Sequence, residues 1–267
     1  MPNKVSRHSA CRLIVDPPAN GAWNMAVDEL LLESMDEASQ PTLRIYRWQR
    51  PTLSLGYFQK SSQRRSHQPS LGADVVRRLS GGGAILHDQE ITYSLVLPIT
   101  HPLANKTQVL YDTVHQAIVE WLSEFVAMAE TSRRLDLCRP PKNEVRTTQP
   151  FLCFQRRSPG DVLLVDGASD SEDYKIVGSA QRRRRGSVLQ HGSILWTTSQ
   201  SAPEIQGFTN LIGLSVPLED ALKTLSSRVL ESLQMRGEDS QLDCEESARA
   251  RKTCSQRYDL SAWTERR

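Results

Sequence analysis

A glycine-rich segment with neighbouring cations, RRLSGGGAILHD from Arg77 to Asp88, has the residue types of a ligand-binding loop. Three consecutive glycines, Gly81 to Gly83, permit positive φ angles and let backbone N–H groups approach a ligand closely. Arg77 and Arg78 could neutralise an anion. The segment lacks the GxxxxGK[ST] spacing of a nucleotide-binding P-loop. The residues alone leave a second interpretation open, a tight glycine turn beside solvated arginines.

Cysteine is the second residue type in this chain that could do chemistry. The five cysteines are Cys11, Cys138, Cys153, Cys244 and Cys254. They form no CxxC pair, and an odd, scattered set predicts free thiols in a reducing compartment. A thiolate attacks a thioester readily. An arbitrary cysteine is more often a buried structural residue, so composition alone does not single out a nucleophile.

Length, charge and hydropathy limit the classes of protein to be considered. The 267 residues suffice for one large domain with a sizeable core. The 33 basic and 31 acidic side chains give a net charge of +2, too balanced to indicate a nucleic-acid binder, and no aromatic-rich strand platform is evident. No apolar run approaches the roughly 18 residues of a membrane span, and the N-terminus lacks the apolar stretch of a secretory signal. We therefore expect a cytoplasmic protein without membrane or nucleic-acid partners.

Hydrophobic periodicity predicts helices mixed irregularly with strands. Helices are expected over Asn24–Met35 with Asn24 as the N-cap, from Leu110 to Phe125, and over Leu218–Leu233. The expected strands are TLRIYRW, TLSLGYF, ADVVRRL, EITYSLVLP, DVLLVDG, YKIVGSAQ and SVLQHGSILW. The proline-rich segment 132–150 is expected to be a loop. Without regular βα alternation, the order favours an α+β fold. We expect a single domain over residues 1–267, with a core of about 20–235 and a charged helical tail of about 236–267.

Five motifs in one chain carry a family resemblance. They are NMAVDELLL, RWQRPTLSLGYFQ, RRLSGGGAILHDQEITYSL, KIVGSAQRR and LQHGSIL, in that order, over roughly residues 20 to 215. This combination resembles the lipoate–biotin ligase and acyltransferase superfamily, and PFLCF followed by KIVGSAQ and LQHGSIL is most similar to the cysteine-dependent octanoyltransferases. The resemblance implies mixed, largely antiparallel sheets flanked by helices. It also implies octanoyl transfer from acyl carrier protein to a lysine of a lipoyl domain, such as the glycine cleavage H protein or the E2 component of a 2-oxoacid dehydrogenase.

The resemblance assigns roles to particular residues. Cys153 would be the nucleophile, and the Lys175 ammonium would polarise the acyl carbonyl and favour the thiolate. The residues expected to contact substrate are Arg77, Arg78, Ser80, Gly81, Gly82, Gly83, His87, Gly178, Ser179 and His191. His87 and His191 could be general bases, although an internal hydrogen-bonding role is favoured, and Asp88 is expected to hold the loop. The chemistry requires no metal and no cofactor, because a thioester is already activated.

Three other functions remain open at this level. An amidotransferase would move octanoyl between two lipoyl domains through the same cysteine. An ATP-dependent lipoate ligase is favoured by the triple glycine, since octanoyltransferases commonly carry arginine where Gly83 stands, and is opposed by Cys153. A catalytically inert binder of lipoyl domains would retain the fold without turnover.

Two charged segments accompany these motifs. The run Arg182–Arg185 with Gly186 is expected to form a hairpin turn, either as a solvated surface or as a dock for an acidic carrier protein. An acidic stretch at 166–173 precedes Lys175 and is expected to be an insertion near the site.

Overall fold

The computed structural model describes residues 9–139, 150–166 and 173–267, which form two sheets and a set of flanking helices. The strands are β1 Ser9–Val15, β2 Thr42–Tyr46, β3 Thr52–Leu55, β4 Asp74–Arg77, β5 Ile85–His87, β6 Glu90–Leu97, β7 Arg133–Leu137, β8 Val162–Asp166, β9 Tyr174–Arg184, β10 Ser187–Leu195 and β11 Met235–Ser240. The α-helices are α1 Gly21–Ser34, α2 Thr107–Met128, α3 Phe208–Ile212, α4 Leu218–Ser232, α5 Cys244–Thr253 and α6 Ser261–Thr264. Among the described residues, no helix has both the length and the apolar character that crossing a bilayer demands.

The large sheet has the strand order β11-β1-β2-β6-β10-β9-β8-β7, and the small sheet has the order β4-β3-β5. In the large sheet, the neighbouring strands in the series β2-β6-β10-β9-β8-β7 all pair antiparallel. β1 pairs in parallel with β2 and with β11, and β3 pairs in parallel with β4. The α+β class with mixed, largely antiparallel sheets is confirmed.

Strand alternation gives the large sheet two apolar faces. On β6, Leu95 belongs to the main core, which also contains Trp121 of α2 and Leu225 of α4. Val96, the next residue along β6, belongs to a second cluster that includes Leu30 of α1 and Ala250 of α5. Because consecutive strand residues point to opposite faces, β6 is buried between two helical layers. Every residue of β6 and of β10 is buried, which places these two strands at the centre of the fold.

A buried ion pair fixes α1 against the sheet. Arg44 of β2 is fully buried and donates to Asp28 of α1 at 3.0 Å and to Asp16 at 2.7 Å. Burial would raise the pKa of Asp28, but a hydrogen bond from His191 and the charge of Arg44 outweigh it, so the pKa is lowered. The Asp28 carboxylate is thus ionised at neutral pH and positions the His191 ring at 3.1 Å.

Local contacts change two predicted boundaries. The N-cap of α1 is Asn20, whose side chain accepts from the Trp23 N–H, and Asn24 lies inside the helix with its amide oxygen bound to Arg44. A polar residue tolerates this buried position because it has a buried partner. The predicted loop at 132–150 contains β7, which pairs antiparallel with β8 and alternates between half-buried and exposed side chains. Residues 140–149 of that loop lie outside the described residues.

The terminal segments differ from their predicted roles. β1 and β11 both belong to the large sheet, so the sheet extends beyond the expected core of 20–235 on either side. The predicted helical tail therefore begins with a strand. Its later part is helical: α5 and a short π-helical turn at Cys254–Tyr258 pack on α1, with Tyr258 buried.

Most of the arginine run lies in a strand, and only its last residue belongs to the turn. β9 continues through Arg184, and the turn consists of Arg185 and Gly186, both with positive φ angles of 49° and 87°. The expected hairpin is therefore present, but three of the four arginines lie in a strand. Alternation along that strand sends their side chains in different directions.

Candidate active site

A cavity between the two sheets holds most of the residues that the sequence singled out. The space between its walls, counted with the open mouth, is about 640 Å³. Its lining residues are Met25, Tyr46, Trp48, Arg78, Gly81, Gly82, Ile85, His87, Thr92, Cys153, Phe154, Ser158, Asp161, Lys175, Gly178, Ser179, Ala180, His191, Gly192 and Ser193. The predicted residues Arg77, Ser80 and Gly83 are not among them.

Cys153 is held against the end of the glycine loop by main-chain pairing. Its N–H donates to the Ala84 carbonyl at 2.7 Å, and the Ala84 N–H donates to the Phe151 carbonyl at 3.1 Å. Cys153 then begins a short 3₁₀ turn, Cys153–Gln155, that leaves its thiol partly exposed at the cavity. Two segments about 70 residues apart in the chain are thereby brought together at Cys153.

Lys175 of β9 lies beside that sulfur, with Nζ 3.8 Å from the Cys153 Sγ. The same ammonium is 2.8 Å from the Asp161 carboxylate, and the side chains of Lys175 and Asp161 are 3% and 1% exposed. A buried ammonium needs such a partner, because desolvation of an unpaired charge is costly. Asp161 also accepts hydrogen bonds from the Tyr111 hydroxyl and the Ser158 N–H, both at 2.7 Å. Its position is therefore fixed from three directions.

A polar network behind Lys175 includes residues that the sequence did not single out. Ser179 donates its N–H to the Tyr111 hydroxyl oxygen, and its own hydroxyl lies 2.6 Å from both His115 Nε2 and the Tyr93 hydroxyl. Burial lowers the pKa of His115 to about 3, so this ring is neutral and acts as a hydrogen-bond partner. The only sequence signal was the four-residue spacing of Tyr111 and His115, which places two polar side chains on one face of α2.

Gly82 and Gly83 of the glycine loop are poorly suited to side chains. Gly82 has φ +94°, and a Cβ on Gly56 would collide with the Gly82 carbonyl. At Gly83, the place of a Cβ lies 2.9 Å from the guanidinium carbon of Arg156. Arg156 thus occupies the space into which a side chain at position 83 would project.

The two arginines of the loop have different roles. Arg77 is fully buried away from the cavity, and its guanidinium donates to the main-chain carbonyls of Gly56, Gln59 and Thr264. Arg78 lines the cavity and donates to the carbonyls of Ser54, Gly81 and Gly83, while its Nε has no hydrogen-bond partner among the described residues..

Arg78 carries a buried positive charge near Cys153. Burial lowers the pKa of Arg78 to about 10, so it remains a cation at neutral pH, and its charge interacts with Cys153. Arg78 and Lys175 thus place two positive charges near the Cys153 sulfur.

Both predicted histidines have their ring nitrogens occupied. His87 lies between the Ser54 hydroxyl at 2.7 Å and Glu90 at 2.6 Å, and it stacks on Trp48. Burial lowers the pKa of His87. These contacts favour an internal hydrogen-bonding role for the ring.

His191 connects the glycine loop to α1. Its Nε2 is 2.5 Å from the Ser80 hydroxyl, and its Nδ1 faces Asp28. Ser80 thus ties the glycine loop to His191, and through His191 to Asp28 of α1. Ser80 itself does not line the cavity.

Gly178, Asp88 and the acidic insertion are the remaining features that the sequence singled out. A Cβ on Gly178 would lie 2.6 Å from the Lys175 Cε, so a side chain there would displace the lysine side chain from its present position. Asp88 accepts from the Ser199 hydroxyl at 2.7 Å, a contact that holds the end of the loop. Of the expected acidic insertion at 166–173, residues 167–172 lie outside the described residues.

Known proteins resemble this chain in sequence and in fold. Residues 20–214 match the lipoyl protein ligase A/B catalytic domain. The chain is 37% identical over 193 residues to the octanoyltransferase LipM of Anoxybacillus flavithermus, which covers 69% of this chain and 64% of that protein. It thus spans less than two thirds of the length of that relative. It is 30% identical to the LipM of Halalkalibacterium halodurans, over 96% of this chain and 99% of that protein.

Solved structures share the architecture. The lipoate protein ligase Ta0514 of Thermoplasma acidophilum, solved with bound lipoic acid, has a TM-score of 0.72 at 22% identity and covers 96% of this chain and 99% of its own. A lipoate-protein ligase A bound with ATP has a TM-score of 0.67 at 20% identity, covering 97% and 98% of the two chains. At these identities the likeness concerns the fold. With the match to the domain model and the relatives above, it shows that the chain belongs to the lipoyl protein ligase A/B catalytic domain family.

Proposed function

We propose that the protein is an octanoyltransferase of lipoate biosynthesis. In this proposal it moves an octanoyl group from acyl carrier protein to a lysine of a lipoyl domain, through a thioester on Cys153. The observation that carries the proposal is the Cys153–Lys175 pair, 3.8 Å apart at the cavity, and the LipM relatives support the acyl group. A reactive free thiol is needed, so the cytoplasm is the compartment that suits this chemistry.

The first half-reaction acylates the enzyme. The Cys153 thiolate attacks the thioester carbonyl carbon, a new C–S bond forms, and the bond to the donor sulfur breaks. The released thiolate takes up the proton that Cys153 gave up. The Lys175 ammonium and the Arg78 guanidinium stabilise the negative charge that develops on sulfur and oxygen. The Cys153 N–H contributes nothing to this oxyanion, because it already donates to Ala84.

The second half-reaction forms the amide. The neutral amine of the acceptor lysine attacks the octanoyl-cysteine carbonyl, a C–N bond forms, and the bond to Cys153 Sγ breaks. The proton lost by the amine returns to the sulfur. The reaction needs no nucleotide, since the energy of the thioester drives amide formation.

Intact-protein mass spectrometry tests this function directly. The protein is mixed with octanoyl acyl carrier protein in the absence of ATP, and an added octanoyl mass is expected on the enzyme. Adding a lipoyl domain should transfer that mass. A ligase requiring ATP, or an inert binder, would show no adduct. An amidotransferase would be acylated by an octanoylated lipoyl domain and not by the carrier protein.

The glycine loop provides a prediction for substrate binding. Gly82→Val is expected to weaken octanoyl-donor binding about tenfold or more, because a β-branched side chain resists φ +94° and intrudes where the acyl chain would pass. Donor affinity and thermal melting are measured on the same samples. A collapsed melting temperature with normal affinity in the folded fraction would instead make the loop a structural turn.

A further inference from the structure

The arginines of the β9–β10 hairpin separate into different environments. Arg183 donates to the Thr107 hydroxyl and the Ala104 carbonyl near the start of α2. Arg184 forms an ion pair with Glu33 of α1 at 2.5 Å. Arg182, on the opposite face of the strand from Arg183, extends towards the Tyr57 ring, with 5.2 Å between its guanidinium carbon and the ring centroid. The four charges therefore do not act as one surface.

Two arginines from the far end of the described chain join Arg182. The guanidinium carbon of Arg266 lies 3.8 Å from the Tyr57 ring centroid, and that of Arg267 lies 5.3 Å from the Phe58 ring centroid. The Arg267 carbonyl also accepts a hydrogen bond from the Ser61 N–H at 2.8 Å. We refer to Arg182, Arg266, Arg267, Tyr57 and Phe58 as the arginine–aromatic patch.

The patch presents three guanidinium groups. Arg182, Arg266 and Arg267 form no ion pair with a carboxylate side chain in the part of the chain that the structure describes. The hydrogen bond with Arg266 lowers the pKa of Tyr57, and the charges of Arg266, Arg182 and Arg267 lower it further. The direction of this shift is that expected for a phenol surrounded by cations.

The patch adjoins the mouth of the cavity. The Tyr57 N–H donates to the Ser80 carbonyl at 2.8 Å, and a Cβ on Gly81 would lie 4.0 Å from the exposed Phe58 ring. Arg182 is two residues beyond Ala180 on β9, so it lies on the same face of the strand as that cavity-lining residue, about 7 Å further along. The cations thus lie immediately outside the space that Cys153 and Lys175 share.

We propose that the arginine–aromatic patch docks the anionic donor, an acyl carrier protein whose thioester arm is joined to it through a phosphodiester. The proposal rests on the octanoyltransferase function proposed above. Guanidinium groups suit phosphate oxygens, and an array of them at a cavity mouth accelerates encounter with an acidic protein. The acceptor instead presents a lysine ammonium, which three cations at the mouth repel. Charge complementarity therefore assigns the patch to the donor.

Single substitutions on one hairpin test the docking surface. Arg182→Ser is compared with Arg185→Ser, which removes the same charge from the exposed turn. The kcat/KM for acylation is measured with octanoyl acyl carrier protein and with the neutral octanoyl thioester of N-acetylcysteamine. With the carrier protein at low salt, we expect Arg182→Ser to lower kcat/KM about fivefold, Arg182→Ser/Arg267→Ser to lower it more, and salt dependence to weaken. Arg185→Ser should stay within about twofold of the unsubstituted protein.

The neutral donor separates docking from chemistry. Equal losses with both donors in a stably folded Arg182→Ser protein would overturn the proposal, because the side chain would then act inside the site. Equal losses in Arg182→Ser and Arg185→Ser would also overturn it. So would normal acylation followed by slow transfer to a lipoyl domain, which would assign the patch to the acceptor. If neither donor acylates the unsubstituted protein, the octanoyltransferase function itself fails, and the docking proposal fails with it.

Discussion

Cys153→Ala is expected to remove both the octanoyl adduct and transfer to the lipoyl domain, with a loss of rate of roughly 10³-fold or more. Cys153 is the described cysteine whose sulfur lies at the cavity beside the Lys175 ammonium. Alanine keeps the backbone pairing with Ala84 and removes only the group that would form the thioester. Intact mass and transfer assays on the purified variant provide the measurement.

Cys138→Ala is the matched control for this substitution. Cys138 is buried, and its N–H donates to the Asp161 carbonyl, so it lies in the same region of the fold. Burial raises the pKa of the Cys138 thiol, which keeps it protonated and poorly nucleophilic. We expect its variant to retain adduct and transfer. Unchanged turnover by Cys153→Ala would contradict the covalent mechanism, as would an equal loss in a stably folded Cys138→Ala.

Elements with strong local patterns could be predicted from the sequence. The apolar spacing from Leu110 to Phe125 lies within α2, and the strands around the glycine loop and the LQHGSIL motif were confirmed. β7 could not be predicted in the same way, because alternate side chains on it are exposed and its composition is that of a loop. Only its pairing with β8, about 30 residues later, makes it a strand.

The sequence predicted the two residues that we propose to react, and it did not predict the residues that support them. The family motifs identified Cys153 and Lys175, whereas Asp161 gave no signal because an isolated acidic residue before a strand is commonplace. Its importance arises from its contacts with Lys175 and with Tyr111, and Tyr111 lies 50 positions earlier in the chain. The sequence likewise offers no way to distinguish the roles of the adjacent arginines Arg77 and Arg78. Opposite orientations at the end of β4 make the former a main-chain clamp and place the latter in the cavity.

The role of Lys175 separates into structural and chemical parts that two variants can distinguish. Lys175→Met leaves the buried Asp161 carboxylate without its cation, so we expect reduced thermal stability by a few kcal/mol as well as reduced activity. The double variant Lys175→Met/Asp161→Asn has no unpaired buried charge. Its melting temperature should therefore recover most of the difference between Lys175→Met and the unsubstituted protein. The paired measurements are thermal melting and the single-turnover rate of acylation.

The expected result is that stability returns in the double variant while acylation remains about 10²–10³-fold slow, because no ammonium faces the Cys153 sulfur or the thioester oxygen. The neutral octanoyl thioester serves as donor, so carrier docking does not enter the comparison. Asp161→Asn alone provides the intermediate case: the ammonium stays but loses its fixed partner, and a smaller loss of rate is expected. Recovery of the full rate in the double variant would contradict a chemical role, since Lys175 would then serve only to neutralise Asp161.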